Sequence, residues 1–87
     1  GTQSGRSKKV SLCVVLDQNP RDLALRLEEI KTHVDEIVAI DTGASETAPQ
    51  IAQLFGAQLV SSSDFPEHKN PWDLAAKMAS GDILIRL

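Results

Sequence analysis

Four apolar runs alternate with three stretches of helical periodicity along the chain. Val10-Ser11-Leu12-Cys13-Val14-Val15-Leu16 is rich in β-branched residues and reads as a strand buried on both faces. Asn19-Pro20-Arg21-Asp22 opens a helix, with Asn as N-cap, Pro at the first helical position and Asp in the first turn. Leu23, Leu27, Ile30 and Val34 follow at helical spacing and form its inward face, while Leu25 lies off that stripe. Ile37 to Ile40 is a second strand. A second helix is expected from Thr47, in a Thr-Ala-Pro-Gln capping box, with Ile51, Leu54 and Phe55 inward and Gly56 as C-cap. Ala57-Gln58-Leu59-Val60 is a short third strand, and Ser61 to Lys69 a polar loop. Asn70-Pro71-Trp72-Asp73-Leu74 repeats the first capping device and opens a third helix that Ser80-Gly81 ends. Ile83 to Leu87 is a fourth strand.

A β-α-β-α-β-α-β order with helices of about ten residues implies parallel pairing through right-handed crossovers. The expected fold is therefore α/β: a three-layer, Rossmann-like half-domain with about three helices. Its four-stranded, mostly parallel sheet has the order 3-2-1-4, with the first and fourth strands side by side. An exposed edge at strand three or four would favour dimerisation. Ligands of such sheets bind beyond the carboxyl ends of the strands. Those ends are Asp17-Gln18, Asp41-Thr42, Ser61-Ser62 and whatever follows Leu87.

Composition narrows the classes. The chain has 87 residues, one domain or part of one, and residues 10–87 form the α/β unit. Residues Gly1 to Lys9 read as a disordered lead-in or a cloning scar. Nine Lys and Arg against twelve Asp and Glu give a net charge of −3, which disfavours nucleic acid as a partner. Aromatics are limited to Phe55, Phe65 and Trp72, too few for a base-stacking surface. Cys13 is the sole cysteine and reads as a small buried hydrophobe; the absence of any disulfide pair fits a reducing, cytoplasmic setting. No stretch reaches the ~20 apolar residues of a membrane span, and no h-region follows the polar start. His33 and His68 are isolated, so no metal site is expected. Ser61-Ser62-Ser63 lacks the glycines and lysine of a phosphate loop and reads as a flexible loop.

The candidate chemistry centres on Val34 to Thr47, where the apolar run ends abruptly in Asp41 and a Thr42-Gly43-Ala44-Ser45 turn follows. A carboxylate beside a glycine turn can accept strongly from a ligand that approaches the backbone. Asp-Thr-Gly after two apolar residues also matches an aspartic protease's catalytic loop, in which two carboxylates share a proton. That fold is nearly all β, whereas capped helices flank the motif here. A third reading is that Asp41 only caps its own turn.

Ser11-Leu12-Cys13, Val34-Asp35-Glu36-Ile37 with Asp41-Thr42-Gly43, Ile51-Ala52, Phe55-Gly56-Ala57 and Ser80-Gly81-Asp82-Ile83-Leu84 together resemble the N-terminal half of a family 2 glycosyltransferase of the GT-A fold. The resemblance covers Val10 to Leu87. It implies a nucleotide-sugar-binding portion in which Leu16, Asp17 and Gln18 at the end of strand one, with Asp41, Thr42 and Gly43, hold the base and ribose of a donor such as a UDP-sugar. Asp41 would accept from a uracil-like N–H. It also implies that the Asp-x-Asp segment holding Mg²⁺ or Mn²⁺ would begin after Leu87. On that basis the chain alone is expected to bind no cofactor, to carry no catalytic residue and to transfer no sugar. Two family positions differ: Lys-Asn-Glu is replaced by Asp17-Gln18-Asn19, and Arg-Asn by Trp72-Asp73, with Lys69 or Lys77 as possible substitutes. These changes favour the alternative, a non-catalytic scaffold or protein-interaction module with a decayed nucleotide site.

Overall fold

The computed structural model describes residues 8–17 and 19–87. Its elements are β1 (Val10–Val15), α1 (Pro20–Ile30), β2 (Glu36–Asp41), α2 (Thr47–Leu54), β3 (Gln58–Ser61), α3 (Pro71–Met78) and β4 (Ile83–Arg86). Short 3₁₀ turns follow α1 at Lys31–His33 and β3 at Ser62–Asp64. The sheet order is β3-β2-β1-β4 and every pairing is parallel. The α/β expectation of a 3-2-1-4 sheet with three helices holds, with mostly parallel sharpened to wholly parallel among the described strands. The amino-terminal segment expected to be disordered lies outside the described residues except for Lys8 and Lys9. Lys9 is held, its backbone N–H donating to Asp82 Oδ2 at 3.0 Å.

The two faces of the sheet are packed by different helices, which makes three layers. Leu12 and Val14 of β1, with Ile37 and Ala39 of β2, bury one face against Leu23 and Leu27 of α1 and Ala48 and Ala52 of α2. The intervening residues Cys13, Val38, Ile40 and Val60 bury the other face against Leu74 and Ala75 of α3. This is the period-2 alternation of a strand buried on both sides, and it is why the central strands read as unbroken apolar runs. Each fully buried Leu or Ile stabilises the fold by about 2 kcal/mol relative to exposure. β4 differs: Ile83, Leu84 and Ile85 are 42%, 47% and 36% exposed on a sheet edge.

The caps follow the sequence, with one shift. Asn19 Oδ1 accepts from the backbone N–H of Arg21 at 2.8 Å, and Asn70 Oδ1 from that of Trp72 at 2.8 Å. Thr47 is not the cap of α2. Glu46 stands at the N-cap position with right-handed helical backbone angles and no side-chain cap bond, and Ser45 just upstream supplies one instead, its Oγ accepting from Ala48 N–H at 3.1 Å. The inward stripe of α2 is Ala48 and Ala52, with Ile51 and Phe55 half-buried beside it. Leu54, expected inside, is 85% exposed. At the other end Gly56 takes φ +77°, with Gly56 N–H donating to Gln53 O and Ala57 N–H to Ala52 O, both 3.0 Å, a Schellman closure. β3 then starts at Gln58 and runs through Ser61, one residue later than the pattern suggests. α3 stops at Met78, before the expected Ser80-Gly81.

Candidate functional site

Parallel strands joined by right-handed crossovers put all four carboxyl ends at one edge of the sheet. The structure places Leu16, Asp17, Asp41, Thr42 and Gly43 along that edge; Gln18 lies outside the described residues. Leu16 is fully buried in the core under α1 and α2, and its N–H donates to Ile40 O at 2.9 Å. It can offer a ligand only its backbone. Asp17 is exposed, with its N–H turned back to Val15 O at 2.9 Å.

Asp41 ends β2 half-buried, and Thr42, Gly43 and Ala44 behind it are exposed. Asp41 Oδ1 accepts from Gly43 N–H at 2.9 Å, an Asx turn that requires Gly43 at φ +84°. A side chain at residue 43 would be strained by that φ alone, even though no atom stands within 4 Å of where its Cβ would be. The turn-capping reading of Asp41 is therefore part of the geometry. It uses one carboxylate oxygen; among the described residues no hydrogen bond occupies Oδ2.

Asp41, Thr42 and Gly43 line a cavity of about 130 Å³ whose opposite wall is Ser61, Ser62 and Ser63. Asp41 and Ser61 are register partners on adjacent strands, so their side chains leave the sheet on the same face about 5 Å apart at the backbone. Ser61 Oγ and Ser63 Oγ share a hydrogen bond at 2.9 Å across the 3₁₀ turn. The serine run, read from sequence as a flexible loop, is thus the second half of the site. The clue was available: strand order 3-2-1-4 makes the ends of β2 and β3 neighbours, so Asp41 and Ser61 must meet. Asp17 and Leu16 do not line this cavity.

The opposite edge of the sheet is built differently. Glu36, the first residue of β2, accepts from the hydroxyl of Ser11, from Ser80 N–H at 2.6 Å and from Ser80 Oγ at 3.1 Å, with Lys9 Nζ at 3.9 Å. The Ser11 hydroxyl, the Ser80 donors and the Lys9 charge together hold the Glu36 carboxyl below its usual range. Ser11 Oγ in turn accepts from Gly81 N–H at 2.9 Å. A nearby cavity of about 120 Å³ is lined by Lys31, Val34, Asp35, Glu36, Ile37, Phe55 and Gly56; Glu36 Oε2 there takes three donors, its Oε1 has only Lys9 Nζ at 3.9 Å, and Lys31 lies over the Phe55 ring at 5.8 Å. Lys77, in the last turn of α3, belongs to this edge because the helix runs back against the strands, so it stands away from Asp41. Trp72 packs against the second core cluster with the Arg86 guanidinium 4.8 Å from its ring. Cys13 is buried, and burial with the Glu36 charge pushes its thiol up against a smaller opposing effect of Arg86.

Among the described residues no three or more His, Cys, Asp and Glu side chains gather. Asp41 stands among hydroxyls instead of other carboxylates, so these residues do not form a divalent-cation site and no step through a metal follows from them. No second carboxylate faces Asp41 in its cavity, and the all-parallel fold is not that of an aspartic protease. No helix among the described residues is long and apolar enough to cross a membrane.

The fold matches that of a solved synthase. The crystal structure of glucosyl-3-phosphoglycerate synthase from Mycobacterium tuberculosis, in complex with Mn²⁺, UDP and glucosyl-3-phosphoglycerate, superposes with a TM-score of 0.68 over 92% of this chain at 24% identity. The chain spans 33% of that protein. In sequence, a TPR repeat-containing protein of Synechococcus elongatus is 33% identical over 82 residues, 91% of this chain and 20% of the relative. No family model matches the chain. What the two share is the fold, a parallel α/β sheet with helices on both faces.

Proposed function

We propose that the chain is the nucleotide-sugar-binding portion of a family 2 glycosyltransferase-like protein and does not transfer sugar by itself. The observation that carries the reading is the Asp41-Thr42-Gly43 turn: it sits at the carboxyl end of β2, lines a cavity, and keeps one carboxylate oxygen unengaged. The fold's match to a synthase solved with UDP and Mn²⁺ supports a nucleoside diphosphate sugar, such as a UDP-sugar, as the ligand class. Asp41 accepts from a base N–H. The backbone at Leu16 and Asp17 flanks the base and ribose; Gln18, outside the described residues, is assigned to the same contact by the resemblance alone. A divalent cation, Mg²⁺ or Mn²⁺, is proposed only for a full-length parent enzyme, as the resemblance implies.

Titrating the ¹⁵N-labelled chain with UDP-glucose and Mg²⁺ tests this directly. The amides of Leu16, Asp17 and Asp41 to Ala44 are expected to shift together and saturate. If they stay in place at millimolar ligand, the nucleotide reading is wrong.

A second reading draws on the TPR repeat-containing relative. TPR arrays present extended binding surfaces, and a neighbouring α/β module would then serve assembly, with Trp72 and Asp73 marking a lost diphosphate contact. Saturable binding of a UDP-sugar at the Asp41 edge would overturn that reading.

A further inference from the structure

The Asp41 cavity offers more than an acceptor. Its far wall is the Ser61–Ser63 hydroxyl pair, held at 2.9 Å. A hydroxyl has one hydrogen and can also accept. When one serine donates to the other, the accepting serine keeps its own hydrogen, which is available to the cavity. The site therefore presents a carboxylate acceptor on one side and a hydroxyl donor on the other, on side chains that leave the sheet on the same face.

From this geometry we infer that the Ser61–Ser63 hydroxyl pair completes the Asp41 site by donating to a ring carbonyl, so that the cavity reads an imide edge, an N–H flanked by C=O, as in a uracil-like ring. The inference rests on the nucleotide reading and adds the residues that would read the carbonyl. Complementarity is the reason. Asp41 alone accepts any N–H, including an exocyclic amine. An acceptor beside a donor matches an N–H next to a carbonyl. A cytosine ring held in the same register presents an unprotonated ring nitrogen to the carboxylate, so two lone pairs face each other, and it can offer its exocyclic amine to Asp41 only by shifting its ring and moving its carbonyl away from the serines.

Calorimetric titration of the 87-residue chain with UMP, CMP, 2-thio-UMP and 4-thio-UMP provides the test. The wild type is expected to bind UMP at least about fivefold more tightly than CMP, and Asp41→Asn to lose that preference. Ser61→Ala/Ser63→Ala should weaken UMP about two- to tenfold, the loss of one hydrogen bond. On one of the two thio analogues, where sulfur accepts poorly, that serine effect should fall below about twofold, a coupling that a purely structural role would not produce. The single variants Ser61→Ala and Ser63→Ala, checked for a native amide spectrum, guard against misfolding of the pair. If the serine variants bind UMP as the wild type does while Asp41→Asn weakens it, the serine inference is overturned and the Asp41 reading stands. Equal serine effects on UMP and both thio analogues overturn it as well. Absence of UMP binding by the wild type sinks the nucleotide reading, and the serine assignment falls with it.

Discussion

The two edges of the sheet are held by opposite means. At the amino edge, side-chain hydrogen bonds cross large sequence distances: Lys9 to Asp82 spans 73 residues, Ser11 to Gly81 spans 70, and Val10 to Asp35 spans 25. They tie β1 to the segments leading into β2 and β4. At the carboxyl edge the site's side-chain bonds are local, Asp41 to Gly43 and Ser61 to Ser63, each spanning two residues. The first edge uses its polar side chains to tie distant segments together, Glu36 Oε2 alone taking three donors while Oε1 has only Lys9 Nζ at 3.9 Å. The second closes its own turns and leaves a carboxylate oxygen and a hydroxyl hydrogen unspent, and that is where a ligand has something to bind.

Substitutions should therefore separate stability from binding according to the edge they touch. Gly81→Ala should have the largest effect on folding. A Cβ there runs into Ser11 Oγ and meets Lys9 O at 2.9 Å and Ser11 N at 3.0 Å, backbone atoms just before and within β1. Overpacking of this kind costs about 3 kcal/mol, which a drop in the urea midpoint would register. A midpoint within error of the wild type would mean that the amino edge is not the fold's fastener.

Glu36→Gln comes next, with about 2 kcal/mol lost at neutral pH, because a neutral amide replaces a carboxylate that accepts from several donors. The pH dependence sharpens the point. Glu36 has a lowered pKa in the folded chain, so the unfolded chain takes up its proton at higher pH than the folded one. Its contribution is full above the ordinary carboxylate pKa of about 4.3 and is lost as pH falls below that value through the folded-state pKa. Denaturation curves from pH 6 to 3 should show a steeper fall in the wild type than in Glu36→Gln.

Asp41→Ala should cost only about 0.5–1 kcal/mol of stability, the net worth of one exposed turn hydrogen bond, while removing the response to UDP-glucose. A loss as large as that of Gly81→Ala would make Asp41 a structural residue and erase the contrast between the edges. Leu54→Lys should have the smallest effect, within about 0.5 kcal/mol, since its side chain faces water. A larger cost would restore Leu54 to the core.

Much of the fold was legible because its cues are local. The apolar runs, the two Asn-Pro caps and Gly56 specify strands, helix starts and a helix stop within a few residues of themselves, and alternation of strand with helix implies parallel crossovers. The α2 cap and Leu54 depart from expectation for local reasons: Thr47 and Ser45 both suit an N-cap and Ser45 supplies the bond, while the small Ala48 and Ala52 take the inward stripe and leave Leu54, two residues on from Ala52, facing water. At the site, Asp41-Thr42-Gly43 stood out because an apolar strand ending in a carboxylate and glycine is visible in one dimension. Ser61 and Ser63 did not, because three serines carry no motif.

By itself, then, the sequence determined the elements, their order and the one conspicuous carboxylate. Only the tertiary structure decided which polar groups were already used. Ser11, Glu36, Ser80 and Gly81 lie scattered over 71 residues and bond to one another, whereas Asp41 and Ser61 are joined by strand pairing and retain hydrogen-bonding capacity. A hydrogen bond satisfied between distant residues leaves no mark on either residue's neighbours in sequence. For that reason the difference between a fastener and a binding edge emerges only once the strands are laid side by side.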